Sequence, residues 1–344
     1  MNSAQPRGVH LVGSINLPTT ENVFEQIPAL LPSRLHRIPD GETGNRHYFI
    51  RWQRQLFSSA PQVLAKYDGS GEVTGAQSAL TDQQVSTALE KLPELHTQFD
   101  DFALESYALF KKNMADGHIA SQTRFQVSLP GLVNVMALIA APFQLRLEPL
   151  YEDALARSLK RIQDSITHSE LAIQIDVAIE IALIEGAGPW PAYFDPIFSG
   201  VIERLSRFAN RVANDVELGF HLCYGDTGHR HFVEPKDTRL LVELANALNK
   251  SVQRPIQWIH MPVPKGRKDL AYFTPLKELN WKIPELYLGV VHPHDEEGTR
   301  ERIVTAQQVV QEFGVSSECG LGRTPPEEFG TIMGILKNVS APVS

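Results

Sequence analysis

The sequence predicts a (β/α)8 barrel of the TIM type, with extra helices inserted after the second strand. Three observations predict it. Short strand-like runs recur along the 344 residues, most of them separated by helical patterns. The runs are nearly continuous in apolar residues, as strands are when helices cover a parallel sheet. Eight such units fit the length of a barrel of this type. The rival, an open doubly wound sheet, calls for a Gly-rich phosphate loop after the first strand. The chain has VGSINLPTT there instead.

The elements follow in order. GVHLVGS (8–14) is the first strand, and RLHRIPDGE (34–42) is the second, with Pro-Asp-Gly marking a turn. Residues 51–120 are too long for one crossover and hold two helical patterns, ALTDQQVSTALEKLPEL and FDDFALESYALFKKNMADG. They read as a helical insertion. TRFQVSLPG (123–131) is the third strand. The amphipathic YEDALARSLKRIQDSITHS (151–169) leads to the fourth, LAIQID (171–176). FSGVIERLSRFANRVA (198–213) is helical, and VELGFHLCYGD (216–226) is a strand running into a loop. DTRLLVELANALNKS (237–251) is a helix between that strand and PIQWIHMPVP (255–264). ELYLGVVHPHD (285–295) is the seventh strand. The helix EGTRERIVTAQQVVQEFG (297–314) follows, its acidic first turn suited to the positive end of the helix dipole. VSSECGLGR (315–323) is the eighth strand with its exit loop, and PPEEFGTIMGILKNVS closes the series. No repeat, low-complexity tract or linker divides the chain. Residues 1–344 therefore read as one barrel domain, with the insertion at about 51–120.

The net charge is −8, and Lys and Arg are scattered apart from PKGRK at 264–268. That argues against a nucleic-acid or membrane surface. The first residues lack the basic start and apolar core of a secretory signal. The longest apolar candidate, GLVNVMALIAAP (131–142), falls short of the roughly 18 residues that suggest a span. Two cysteines make no disulfide framework. The expectation is a cytoplasmic protein acting on a small molecule, with its oligomeric state left open.

Barrel enzymes place their chemistry where strands end. Ser14 follows the first strand, Asp40 and Glu42 the second, and Ser128 the third; Asp176 ends the fourth. His221 and Cys223 end the fifth, His260 the sixth, His292 and His294 follow the seventh, and Cys319 ends the eighth. His221 and Cys223 are two apart in a strand, so they point the same way. Zinc prefers thiolate and imidazole in a tetrahedral shell. Cys319 and His260 would complete such a shell. Against this, a buried cysteine is often a small hydrophobe, and a lone histidine on an apolar strand is usually a hydrogen-bonded core residue. Asp176 ends an apolar strand, where a carboxylate is costly without a partner. His229 and His231 read as exposed loop residues with no role. Trp52, Trp190 and Trp258 read as packing.

Together these motifs resemble the C-terminal catalytic half of cobalamin-independent methionine synthase and its shorter, single-barrel relatives. In that family a His-x-Cys on one strand, a Glu on the next and a Cys in a late Cys-Gly turn bind zinc. The matches are His221 and Cys223 in HLCYGD and Cys319 in SECGLGR, with His260 where the family has Glu. LVGSINLP resembles the family's Gly-Ser turn, which implies that Ser14 contacts an amino-acid carboxylate. DGETGNRHYF and IQID likewise place Glu42 and Asp176 against a substrate amine, although Val-Ala follows Asp176 where Glu-Pro is usual. GVVHPHD aligns His294 with the family's proton-donating His, and His292 beside it is a further substrate contact. The matches run in order from residue 8 to residue 323. The resemblance implies a zinc-dependent methyl or alkyl transferase that holds a small, homocysteine-like thiol as its thiolate. It leaves the alkyl donor open.

His260 in place of Glu makes the site less negative and a stronger Lewis acid. With the imidazoles His292 and His294, that motivates an alternative, a zinc-dependent lyase or hydrolase acting on a carbonyl compound. A third reading is a barrel with structural zinc that binds a ligand without chemistry.

Overall fold

The computed structural model describes residues 5–66, 80–225 and 230–343. Eight strands run β1 Val9–His10, β2 Arg37–Pro39, β3 Arg124–Pro130, β4 Leu171–Val177, β5 Glu217–Leu222, β6 Trp258–Pro262, β7 Glu285–Val291 and β8 Gly314–Ser317. They form one sheet in the order β1-β8-β7-β6-β5-β4-β3-β2, and every pairing is parallel. Bridges between Val9 and Leu35 and between Ser14 and Gly41 bring the two ends of the sheet together. The TIM-type (β/α)8 barrel expected from the sequence is what forms. Among the described residues, no helix is long and apolar enough to cross a membrane.

The strands are shorter than the apolar runs that predicted them. The run 8–14 contributes only Val9–His10, and 315–323 contributes the part of β8 ending at Ser317. The rest of each run is exit loop. Ser14, Glu42, Cys223, His292, His294 and Cys319 therefore lie just beyond strands, while Asp176, His221 and His260 lie within them.

The insertion between β2 and β3 holds short 3-10 turns at Gly44–Tyr48, Arg51–Phe57 and Pro61–Val63 and α-helices at Asp82–Leu89 and Phe99–Ala115. Thr81 and Gln84 form a reciprocal capping box at the first of these helices. The second packs Phe110 against Phe24 and Phe125, with ring centres 5.9 and 5.6 Å apart. Trp52 sits edge-on to Phe99 and Phe102.

A polar column fills the barrel axis. At its base, Arg37 meets Glu217 and Glu285, each at 2.9 Å, and its guanidinium carbon lies 4.1 Å from the Trp258 ring centre. Trp258 is fully buried, as the packing reading expects. It fits because Gly219 opposes it in register, where a Cβ would lie 1.9 Å from the ring. Higher up, His10 Nε2 is 2.8 Å from Gln174 Oε1, and Gln174 Nε2 donates to Asp176 Oδ1 at 2.8 Å. The column thus ends at the rim that carries the candidate site.

Candidate metal centre and adjoining cleft

β5 delivers His221, and Cys223 follows one residue after the strand ends. Cys223 N–H donates to Val177 O at 2.9 Å, which extends the β4 pairing. The strand alternation therefore persists, and both side chains face the same way. Cys319 sits in the turn after β8, where Ser317 Oγ donates to its carbonyl at 2.8 Å. The two sulfurs are 3.6 Å apart, and His221 Nε2 is 3.7 Å from Cys319 Sγ. Ligand atoms of the three residues all lie within 4.8 Å of one another. A disulfide requires about 2.05 Å, so the cysteines are not bonded. Zinc bonds of about 2.3 Å to sulfur and about 2.0–2.1 Å to nitrogen, at tetrahedral angles, set edges of about 3.8 Å and about 3.6 Å. The donor set fits zinc in chemistry and in these two spacings. Gly225 N–H points at Cys223 Sγ from 3.2 Å, a contact that favours the thiolate.

His260, expected as the fourth ligand, stands outside this triangle. It is paired in register with His221, and its Nδ1 is 2.7 Å from His221 Nδ1. Its Nε2 is 3.0 Å from Ser317 O. A carbonyl only accepts, so His260 Nε2 carries the hydrogen and its Nδ1 accepts. His221 Nδ1 must then be the donor, which leaves a lone pair on His221 Nε2, facing the sulfurs. Burial pushes His260 down to about 4, against the pull of the Ser317 carbonyl. Burial, with His260 and His10 nearby, also holds His221 well below the ordinary histidine value. Both shifts favour the neutral rings. The sequence could not show this, because the cross-strand His221 takes His260 Nδ1 and the Ser317 carbonyl takes its Nε2.

Asp176 is paired in register with His221 on its other side. Glu42 sits at a left-handed turn, φ 45°, and its N–H donates to Asp40 Oδ1 at 2.8 Å. Gly13 makes room for it, since a Cβ there would lie 2.6 Å from Glu42 Oε1. Asp40 is engaged by Ser106 Oγ at 2.7 Å and by Arg46 at 2.8 Å. Glu42 and Asp176 take part in no ion pair among the described residues. Burial raises the Glu42 carboxyl, Asp40 adds to the rise, and Arg46 and Arg323 partly offset it. Burial and then Glu42 raise Asp176, while Gln174 opposes; Cys319 is close enough to add to the rise. Both acids line one cleft. Asp176 therefore links that cleft to the thiols.

Ser14 Oγ accepts from Gly322 N–H at 3.2 Å, and Ser14 O accepts from Leu321 N–H at 2.6 Å. These bonds tie the first exit loop to the loop carrying Cys319. His292 is buried; its Nε2 donates to Val263 O at 2.8 Å, and its Nδ1 lies 3.7 Å from Glu318 Oε2. His294 is exposed on a left-handed turn, φ 54°, that carries it away from its buried neighbour. Glu318 is a residue that the sequence reading missed, and His231 is one to which it gave no role. His231 Nε2 is 3.0 Å from Glu318 Oε1, and its side chain is largely buried, so it is not the exposed loop residue expected. Burial lowers His231, but Glu318 and Glu234 outweigh it and push it up to about 9. A carboxylate next to Cys319 was the available signal. His229 lies outside the described residues.

No family model matches the chain, and no curated protein matches it in sequence. Solved structures do match it. A B12-independent methionine synthase from Shewanella sp. W3-18-1, in complex with selenomethionine, superposes with a TM-score of 0.53 at 15% identity, covering 97% of this chain and 96% of that one. A Listeria monocytogenes protein assigned as a vitamin-B12 independent methionine synthase gives 0.54 at 17%, covering 98% of both chains. The chain therefore shares the fold of these proteins along nearly its whole length.

Proposed function

We propose that the chain is a zinc-dependent transferase that places a methyl or other alkyl group on a small, homocysteine-like thiol. The triangle of His221, Cys223 and Cys319 carries this reading. Three protein ligands with an open fourth position are the mark of catalytic rather than structural zinc. When bound, zinc supplies the Lewis acidity that lowers the pKa of a thiol and holds it as the thiolate. His221 offers Nε2 because His260 takes its Nδ1–H. Glu42 raises Asp176, so a cationic nitrogen between them relieves that repulsion. Ser14 keeps a hydroxyl hydrogen to donate to a carboxylate. His292, buried beside Glu318, is better placed than the exposed His294 to pass a proton at the rim.

The methionine-synthase-like fold supports a transferase over the lyase or hydrolase alternative. So does one neighbour's ligand, an amino acid with a methylated chalcogen. Zinc-loaded protein given homocysteine and a methyl donor should form the thioether, and chelated protein should not. Thiol-independent turnover of a carbonyl compound would favour the alternative instead.

The place of His260 makes a separate prediction. A residue that orients a ligand typically changes metal affinity by about 10–100-fold. His260→Ala should weaken zinc by that amount in a competition titration with a chromophoric chelator. A loss as large as that of Cys319→Ala would make His260 a ligand itself.

A further inference from the structure

The cleft that holds Glu42 and Asp176 also contains an acceptor that receives no hydrogen. Ser128 lines it, partly exposed. Its Oγ donates to Val12 O at 3.3 Å. Gln174 Nε2 lies 3.4 Å from the same Oγ, but it is also 2.5 Å from Val12 O and 2.8 Å from Asp176 Oδ1. An amide nitrogen carries two hydrogens. The two shorter contacts take both, so among the described residues the lone pairs of Ser128 Oγ are left over. The walls of the cleft include Trp52, Phe99 and Phe125, which offer no oxygen. Gln126, the next inward residue down β3, is only 1% exposed and sits deeper.

Gly13 fixes where the free acceptor stands. A Cβ on Gly13 would lie 2.6 Å from Glu42 Oε1 and 3.2 Å from Ser128 Oγ. The two oxygens are no farther apart than those lengths end to end, a gap that one nitrogen with bonds of about 2.9 Å can bridge. On the other side, Gln174 Nε2 touches both Ser128 Oγ and Asp176 Oδ1. Ser128 thus adjoins both acids.

We propose that Ser128 Oγ is the third acceptor, with Glu42 and Asp176, for the ammonium group of the thiol substrate, and that it restricts the site to primary amines. The inference rests on the transferase reading above and deepens it. Charge alone does not define the ligand here, because Arg46 and Arg323 offset part of the effect on Glu42. Hydrogen-bond number adds the missing selection. A primary ammonium has three N–H groups for three acceptors. Each N-methyl group removes one N–H and leaves one acceptor unpaired, and a site built to bond a substrate N–H rejects the analogue that lacks it.

Calorimetry on the zinc-loaded full chain tests this with methionine, the thioether that the transferase reading forms from homocysteine, and with its N-methyl and N,N-dimethyl derivatives. Wild type should lose affinity at each methylation, by about tenfold or more for the dimethyl compound. Ser128→Ala should weaken methionine by about tenfold, the worth of one bond to a charged donor. It should leave the dimethyl compound nearly unchanged, since its single N–H belongs to a carboxylate. That unchanged binding also shows that the variant is folded; where it does not fold, the wild-type series decides. Equal methionine affinity in Ser128→Ala overturns the proposal. So does an equal loss for both ligands, which marks a structural role, or a gain for the dimethyl compound, which marks steric exclusion. Wild type that binds the three ligands alike overturns it too. A chain that binds none of them loses the transferase reading, and this proposal with it.

Discussion

Cys319→Ala should empty the metal centre and abolish thiol alkylation while leaving the barrel folded. Zinc in four-ligand protein sites is held by about 10–16 kcal/mol, so each ligand carries roughly 3 kcal/mol, more than 100-fold in affinity. Cys319 is also the residue that closes the triangle, since it lies 3.6 Å from Cys223 Sγ and 3.7 Å from His221 Nε2. Without it, His221 and Cys223 are a two-point site on one strand end. The substitution sits in a partly exposed turn after β8, where removing one sulfur costs little packing. Metal analysis after mild purification should find close to one zinc per wild-type chain and almost none in the variant. Circular dichroism should show the same secondary structure. Equal zinc contents would remove the basis for the whole site.

Arg37→Ala should be the most destabilising single change at the base of the barrel. Its guanidinium is buried, with 2% of the side chain exposed, and it serves Glu217 and Glu285 together. Removing it leaves Glu285, 26% exposed, with the Tyr287 hydroxyl alone, and Glu217, 23% exposed, with Arg124 alone. Breaking a buried pair costs about 3–5 kcal/mol, and the partial exposure of the carboxylates favours the lower end. The loss should also depend on pH. Burial tends to raise Glu285, but Arg37 outweighs it and holds the carboxyl below the ordinary glutamate range. A carboxyl lowered in the folded state stabilises above its unfolded pKa of about 4.3, and loses that contribution as pH falls through the folded value. Urea unfolding should therefore separate wild type from Arg37→Ala most at pH 7, with the gap narrowing below about pH 4.

Much of the architecture was legible because its cause is local. Buried parallel strands must be apolar throughout, so the runs around Ile173, Phe220 and Leu288 announced themselves. His221 and Cys223 were legible for a related reason, since a spacing of two along a strand fixes a common face. Cys319 could be joined to them only because barrel closure brings the last exit near the others. The role of His260 was not legible. It depends on which nitrogen faces which neighbour, and that is set by cross-strand register and by the Ser317 carbonyl. The contrast between His292 and His294 turns on one left-handed residue. The aromatic wall of the cleft joins Trp52 and Phe99 from the insertion to Phe125 on β3, and no local pattern announces that meeting. Glu318 and His231 are brought together by loop packing in the same way.

The central claim is that the His221–Cys223–Cys319 triangle holds zinc with one place left for a thiol. Zinc K-edge X-ray absorption on the loaded protein, before and after adding homocysteine, tests it most directly. The first shell should hold two sulfurs, one imidazole and one light atom, and should change to three sulfurs and one imidazole when the thiol arrives. A shell of two sulfurs and two imidazoles, unchanged by any thiol, would contradict the account.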